Sequence, residues 1–181
     1  MIQREIRTEA GEQVIYDNGI LQSMYPGNLA MVRGHWIHFV PWFKPHEVLI
    51  LGYGGGTMAQ VLRRVWGEDI HITGVDIQEP PFKHDKDTIV LQDAFKFVQT
   101  FPNDNAFDFV MVDLFEGDKV VPFVLGDSFV RECVRLTRDI VAINLIDEPY
   151  QPKAYRRVMD LKIIKIVDRN YLYFYAKQNK N

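Results

Sequence analysis

Apolar residues in this chain fall into short runs whose spacing changes character near residue 45. Before that point Glu12 to Tyr16, Ile20 to Met24 and Trp36 to Val40 read as short strands. Asp17-Asn-Gly19 and Tyr25-Pro-Gly-Asn28 lie between them and carry the residue types that tight turns need. Beyond it, strand-like segments alternate with segments of helical period. Strands are expected at 48–51, 70–75, 88–91, 108–113 and 139–144, and helices at about 57–66, 93–100, 126–137 and 151–158. A continuous apolar run is what a strand buried on both faces looks like, so the alternation implies a mostly parallel sheet with right-handed crossovers. Glu79-Pro-Pro-Phe-Lys-His-Asp-Lys-Asp87 interrupts the rhythm, since two prolines in a short polar stretch leave little room for a crossover helix. At the other end, Leu161 to Asp168 and Tyr171 to Lys177 are strand-like with only Arg169-Asn170 between them, which forces an antiparallel hairpin. The predicted organisation is an N-terminal β-hairpin region over 1–45, too small to fold alone, and an α/β domain over 46–181 that ends in a polar tail, Gln178 to Asn181.

Length and composition fit one domain with a real core: 181 residues, of which 47% are hydrophobic. The net charge of −3 and the dispersed basic residues give no electrostatic footprint for nucleic acid and suit a small or cationic partner better. A single cysteine, Cys133, excludes an internal disulfide. It sits in the helical pattern Phe129, Val130, Cys133, Val134, Leu136, where a packed core thiol is expected, and the composition suits a reducing cytoplasm. No apolar stretch reaches membrane-spanning length, and Met1-Ile-Gln-Arg-Glu-Ile-Arg7 has neither a signal-peptide layout nor a lipidation motif, so a soluble, cytoplasmic protein without membrane partners is expected.

Candidate chemistry concentrates at three consecutive strand ends. In Val48-Leu-Ile-Leu-Gly-Tyr-Gly-Gly-Gly-Thr57, the glycines Gly52, Gly54 and Gly56, with Tyr53 among them, let backbone N–H groups approach a ligand without Cβ interference. Asp76, followed by Ile77, closes the next strand about 20 residues later, where a carboxylate can accept both hydroxyls of a ribose. Asp93-Ala94 follows the third strand. Together they describe a cradle for an adenosine-containing cofactor; the competing description is a glycine turn plus two helix-capping aspartates. An NAD-binding oxidoreductase would want Gly or Ala where Thr57 stands, and parallel strands at the end of its sheet.

Asp17-Asn-Gly-Ile-Leu-Gln22-Ser, the glycine stretch, Gly74-Val-Asp76-Ile, Gln92-Asp93-Ala94-Phe and Phe107-Asp-Phe-Val-Met-Val-Asp113 resemble, in order and setting, the spermidine synthases and spermidine-synthase-like proteins of the class I S-adenosylmethionine-dependent methyltransferase superfamily. The resemblance covers most of residues 12 to 145. It implies a Rossmann-like fold with a mostly parallel seven-stranded sheet ending in the antiparallel hairpin, and S-adenosylmethionine or its decarboxylated form as cofactor. It also implies that Gln22 lies beside the cofactor, that Asp76 holds the ribose hydroxyls, that Asp93 receives the adenine amino group, and that Asp113 orients and deprotonates an attacking amine. Four departures accompany it. Gly55 stands where spermidine synthases carry an aspartate that grips the aminopropyl amine; Glu116, in Asp113-Leu-Phe-Glu-Gly-Asp118, only half preserves the usual second acid; Met31-Val-Arg-Gly-His-Trp36 offers no Tyr-Gln pair; and the crossover helix at 79–87 is trimmed.

The acids make chemical sense for a small, amine-bearing, possible polyamine-like acceptor. A nitrogen nucleophile must be neutral and aligned when it attacks, and a carboxylate at Asp113 could hold the ammonium form and take its proton. Glu116 and Asp118 would make the mouth of the site acidic for a cationic acceptor, or else form a solvated turn. His35 and His38, read on one strand face, are a weak metal pair with no third ligand at matching spacing, so no metal is expected. Trp36, Phe39, Trp42 and Phe43 could wall the acceptor pocket or bury the hairpin region, and Asn144-Leu-Ile-Asp-Glu148 could add acceptor contacts. The sequence thus predicts a transferase of methyl or aminopropyl groups that forms a homodimer or higher homo-oligomer through its N-terminal hairpins, with a non-catalytic cofactor-fold binding or assembly protein as the alternative.

Overall fold

The computed structural model of the protein describes residues 3–178; Met1, Ile2 and the polar tail from residue 179 onward lie outside the described residues. Three strands, β1 (Arg4–Glu9), β2 (Glu12–Asp17) and β3 (Ile20–Tyr25), form an antiparallel sheet of their own. Asn18 and Gly19 have φ of 50° and 79°, the left-handed pair that a two-residue hairpin turn demands. Ala10 and Gly11 repeat it between β1 and β2 with 51° and 86°. β1 is absent from the sequence prediction because its residues are almost all exposed and polar, and because Ala10 is not a residue that announces such a turn.

The strand expected over Trp36 to Val40 is instead a 3-10 turn, Trp36–Phe39. Three residues per turn bring Trp36 and Phe39, both buried, to one side, and Pro41 and Pro45 just beyond cannot donate to a strand ladder. His35 precedes this turn and is turned inward, whereas His38 is exposed, so the two histidines do not share a face. Residues three apart would not share one on a strand either.

From residue 47 the chain follows the predicted alternation: β4 (Glu47–Leu51), α1 (Thr57–Trp66), β5 (His71–Asp76), β6 (Thr88–Leu91), α2 (Ala94–Thr100), β7 (Phe107–Val112), a small hairpin of β8 (Phe115–Glu116) and β9 (Lys119–Val120), α3 (Asp127–Leu136), β10 (Thr137–Ile146), α4 (Lys153–Val158), β11 (Met159–Val167) and β12 (Asn170–Lys177). Seven strands form one sheet in the order β11-β12-β10-β7-β4-β5-β6, in which β12 alone runs antiparallel to its neighbours. The central strands are apolar on both faces because helices cover both. α1 and the 36–39 turn pack Phe39, Val61 and Leu62 on one side, and α2, α3 and α4 pack Phe97, Phe129, Leu136 and Tyr155 on the other. Cys133 is buried in that second layer, where burial pushes its thiol up, as expected of a core cysteine. The C-terminal hairpin turns at Asp168-Arg169, one residue earlier than the sequence suggests, with Asp168 at a φ of 53°. No helix among the described residues is long and apolar enough to cross a membrane.

Residues 77–87 carry no helix between the parallel strands β5 and β6. What holds this connection is a buried polar network. Asp87 pairs with Arg63 of α1, with side-chain exposures of 0% and 1%, and accepts a hydrogen bond of 2.7 Å from the Tyr53 hydroxyl. Arg63 also donates to the Ile70 carbonyl at 2.8 Å. Burial first, and the Asp87 charge second, raise the Tyr53 phenol far above its ordinary range.

The N-terminal sheet docks on the start of α1 through hydroxyls. Thr57 Oγ1 accepts from Met24 N at 2.8 Å and donates to Met24 O at 2.5 Å, and lies 2.7 Å from Ser23 Oγ, with all three residues buried. Thr57→Val should therefore destabilise the protein by about 2 kcal/mol, because the isosteric methyl leaves a buried N–H and a buried C=O without partners. Urea denaturation checks this; a loss below about 0.5 kcal/mol would mean that water or a shifted β3 replaces the hydroxyl.

Candidate active site

The C-terminal ends of β4, β5, β6 and β7 meet at one edge of the sheet, the edge where open α/β sheets place their ligands. The turn from β4 into α1 is pinned to β5: Gly52 N and Tyr53 N both donate to Val75 O, at 2.9 and 3.2 Å. Gly52 has a φ of 90°, and a Cβ on it would overlap the Asp113 carbonyl, so the loop and the end of β7 touch through bare backbone. Asp76 closes β5 and is aimed by two backbone donors, Gly54 N to Oδ2 at 2.8 Å and Gln78 N to Oδ1 at 3.0 Å. A carboxylate has about four acceptor positions, so roughly two remain for a ligand. Leu91, at the end of β6, pairs in register with Asp76; it is 53% exposed, and Ile77 is 73% exposed. These two aliphatic side chains form open apolar surface between Asp76 and Asp93. Asp93 caps α2, its Oδ1 accepting from Lys96 N at 2.8 Å, and Ala94 is the first, buried residue of that helix. Gly56 occupies the cap of α1 with a φ of 81°.

Asp113 follows β7 and donates its backbone N–H to Leu51 O at 2.9 Å, which locks the ends of β4 and β7 together. Both carboxylate oxygens are held. His35 Nε2 lies 3.2 Å from Oδ2, and Asn144 of β10 donates from Nδ2 to Oδ1 at 2.9 Å. The Asn144 amide also reaches Asn170 Oδ1 at 2.9 Å, so the C-terminal hairpin supports the arrangement. Burial pushes the Asp113 carboxyl up, but the His35 ring and the hydrogen bonds from His35, Asn144 and Trp36 outweigh it and hold the group below the ordinary carboxylate range. The His35 ring is itself held by aromatic neighbours, Trp36 at 4.9 Å and Phe39 at 5.9 Å between centroids.

The structure thus brings together Gly52, Tyr53, Gly54, Gly56, Asp76, Ile77, Asp93, Ala94 and Asp113 along one edge. Tyr53 differs in kind, since its side chain points into the buried network with Asp87 and leaves only its backbone at the surface of the loop. Gln22 lies half-buried on β3, next to Ser23, whose hydroxyl accepts from Gly55 N at 2.9 Å. Glu116 and Asp118 flank Gly117 at the exposed tip of the β8–β9 hairpin, with Asp118 3.9 Å from Arg169; neither bonds the Asp113 carboxylate, whose partners are His35 and Asn144. Trp36 and Phe39 are core, while Trp42 is half exposed against Phe174. The sequence missed the partnership of His35 with Asp113, which joins residues 78 positions apart across a segment whose local structure was misjudged. A Cβ built on Gly55 would stand 2.5 Å from Ile15 Cδ1 and 2.9 Å from Ser23 Oγ, so side chains of β2 and β3 would have to move to admit an aspartate there.

Comparison with known proteins agrees with this fold. No protein-family profile matches the chain. Polyamine aminopropyltransferases of Neisseria meningitidis serogroups A and B are 26% identical over 100 residues, an alignment that spans 49% of this chain and 37% of theirs. Among solved structures, a probable spermidine synthase from Corynebacterium glutamicum superposes with a TM-score of 0.72 at 14% identity, covering 99% of this chain and 78% of that one. The spermidine synthase of Thermotoga maritima gives 0.62 at 17% identity, over 99% of this chain and 70% of that one. A 1,6-didemethyltoxoflavin-N1-methyltransferase from Burkholderia thailandensis, solved with S-adenosylhomocysteine bound, gives 0.60 at 16% identity over 75% of this chain and 72% of that one. The protein therefore has the class I methyltransferase fold. The two spermidine synthase structures cover 99% of the chain, its N-terminal sheet included.

Proposed function

We propose that the protein binds an S-adenosylmethionine-type cofactor across the ends of β4 to β7 and is a transferase of its alkyl group to a small amine. The observation that carries this reading is Asp113, a largely buried carboxylate held ionised at the strand end that the glycine loop touches. The likeness to polyamine aminopropyltransferases supports a polyamine-like acceptor. The residues present fit the cofactor. Asp76 has acceptor positions left for ribose hydroxyls, Ile77 and Leu91 offer apolar surface for the adenine faces, and Asp93 stands one strand further on for the adenine amino group. A bound sulfonium cofactor would supply an electrophilic carbon next to a positive sulfur. The protein's part is to hold the acceptor nitrogen in line, unprotonated, and to mask the charge that moves. Asp113 and its partners would supply a negative, little-exposed group at that edge for that nitrogen. Glu116 and Asp118 add negative potential at the rim rather than contacts.

Of the two groups, methyl is favoured, because Ile15 and Ser23 fill the space around Gly55 and no carboxylate stands there to hold an aminopropyl amine. Calorimetry should then show S-adenosylmethionine binding more tightly than its decarboxylated form, and NAD not binding. Asp76→Ala should weaken that binding by on the order of 2 kcal/mol, since the lost hydrogen bonds are to a charged group. An unchanged dissociation constant would reduce Asp76 to a brace for the loop.

Asp113→Asn should leave cofactor affinity nearly intact and lower turnover of a polyamine acceptor roughly 100-fold or more. Wild-type turnover in this variant would make Asp113 structural. Cofactor binding without any turnover of putrescine or spermidine by the wild type would favour the non-catalytic reading.

The N-terminal sheet presents β1 as an exposed edge strand with Ile6 48% exposed. This edge supports pairing with a second copy, so we propose a homo-oligomer. Light scattering at micromolar concentration should report at least a dimer, and a monomer across the accessible range would refute it.

A further inference from the structure

We infer that His35 is the group that receives the acceptor's proton, and that Asp113 is its positioning partner. This rests on the transferase reading and deepens it. A carboxylate accepts hydrogen bonds and cannot donate them, so the nitrogen that faces Asp113 Oδ2, Nε2 at 3.2 Å, carries the hydrogen in the neutral ring. The lone pair is then on Nδ1. No protein group among the described residues hydrogen-bonds Nδ1. It is not one of the sealed, unpartnered polar atoms either, which are Arg63 Nε, Trp66 Nε1, Asn144 Oδ1 and Tyr175 Oη. The His35 side chain keeps 14% of its surface open. Nδ1 therefore carries an unpartnered lone pair that is not sealed from an acceptor nitrogen.

Asp113 is less suited to that task. Its two oxygens are already engaged by His35 and Asn144, and hydrogen bonds to the charged form make a carboxylate a weaker base. The same features make it a good anchor. Asn170 steadies Asn144, Asn144 steadies Asp113, and Asp113 fixes the tautomer and angle of His35, while Trp36 and Phe39 pack against the ring. In the transfer step the acceptor nitrogen's lone pair forms the new C–N bond as the C–S bond breaks. The pair from that bond stays on sulfur as a neutral thioether, and the proton leaving nitrogen forms an N–H bond on Nδ1. The resulting imidazolium faces the Asp113 charge and later returns its proton to water.

A test that does not depend on turnover is 15N long-range correlation NMR of the full-length protein, with His35 assigned by comparison with His35→Gln. At pH 8 the ring should be the Nε2–H tautomer with an unprotonated Nδ1, and Asp113→Asn should shift it toward a mixture of tautomers. An Nδ1–H tautomer, or a doubly protonated ring at that pH, would overturn the inference. The kinetic arm uses His35→Gln, whose amide can still donate to Asp113. With putrescine as acceptor, turnover should fall about 100-fold or more while calorimetric affinity for S-adenosylmethionine changes less than about twofold, and added imidazole should partly restore His35→Ala. Turnover of His35→Gln at the wild-type rate would return the proton to Asp113. If the wild type binds no S-adenosylmethionine or turns over no polyamine, the transferase reading fails, and the tautomer alone decides the state of His35.

Discussion

At the junction between the two sheets, one side-chain oxygen satisfies strand backbone from a helix. Thr57 is the first residue of α1, and its hydroxyl takes the Met24 N–H and gives its hydrogen to the Met24 carbonyl, with Ser23 Oγ alongside binding Gly55 N. Strand β3 and the glycine loop thereby become a single structure. With β3 fixed there, Ile15 and Ser23 lie directly over residue 55, and a Cβ there would have to push the end of the Ile15 side chain and the Ser23 hydroxyl aside. The chain leaving β3 then has a fixed start, and it returns along the sheet edge to bring His35 within reach of Asp113. The shape of the cradle and the identity of Asp113's partner thus follow from the same dock.

Asp113 shows how burial and charge combine at that edge. Taken alone, its low exposure would favour the neutral acid, and a neutral acid would neither hold a cation nor align an imidazole. Three donors from two distant parts of the chain reverse the preference: His35 and Trp36 from the segment before β4, and Asn144 from β10. None is adjacent in sequence to β7. The acid's character is therefore a property of the assembled edge.

The sequence reveals those parts of the fold that periodicity controls. Val48 to Leu51 and Phe109 to Val112 are buried on both faces and read as unbroken apolar runs, and the prolines of 79–87 correctly signal a missing crossover helix. The glycines and aspartates of the cradle are legible because the loop geometry needs those residue types. What escapes is whatever is set by partners far away in the chain. β1 has no apolar pattern because both its faces see solvent. Trp36 to Val40 looks like a strand because a spacing of three and an alternation of two overlap in so short a segment. His35 carries no local mark of its role, and Glu116 and Asp118 resemble site acids by proximity to Asp113 in sequence, although the β8–β9 turn carries them to its exposed tip.

Tyr53 has a consequence beyond the site. Its ring lies across β5 at Gly74, where a Cβ would overlap the ring, while its hydroxyl reaches Asp87, which pairs with Arg63. The four residues come from the glycine loop, a strand, the shortened connection and a helix, yet none can change alone without stranding a buried charge, opening a hole or forcing a clash. They form an epistatic unit. A lineage with a smaller residue at 53 could accept a side chain at 74 and a longer connection between β5 and β6, and one with tyrosine there could accept neither. The tolerated substitutions at Gly74 are thus decided by the residue at 53, and that dependence would be invisible to any scan that varies one position at a time.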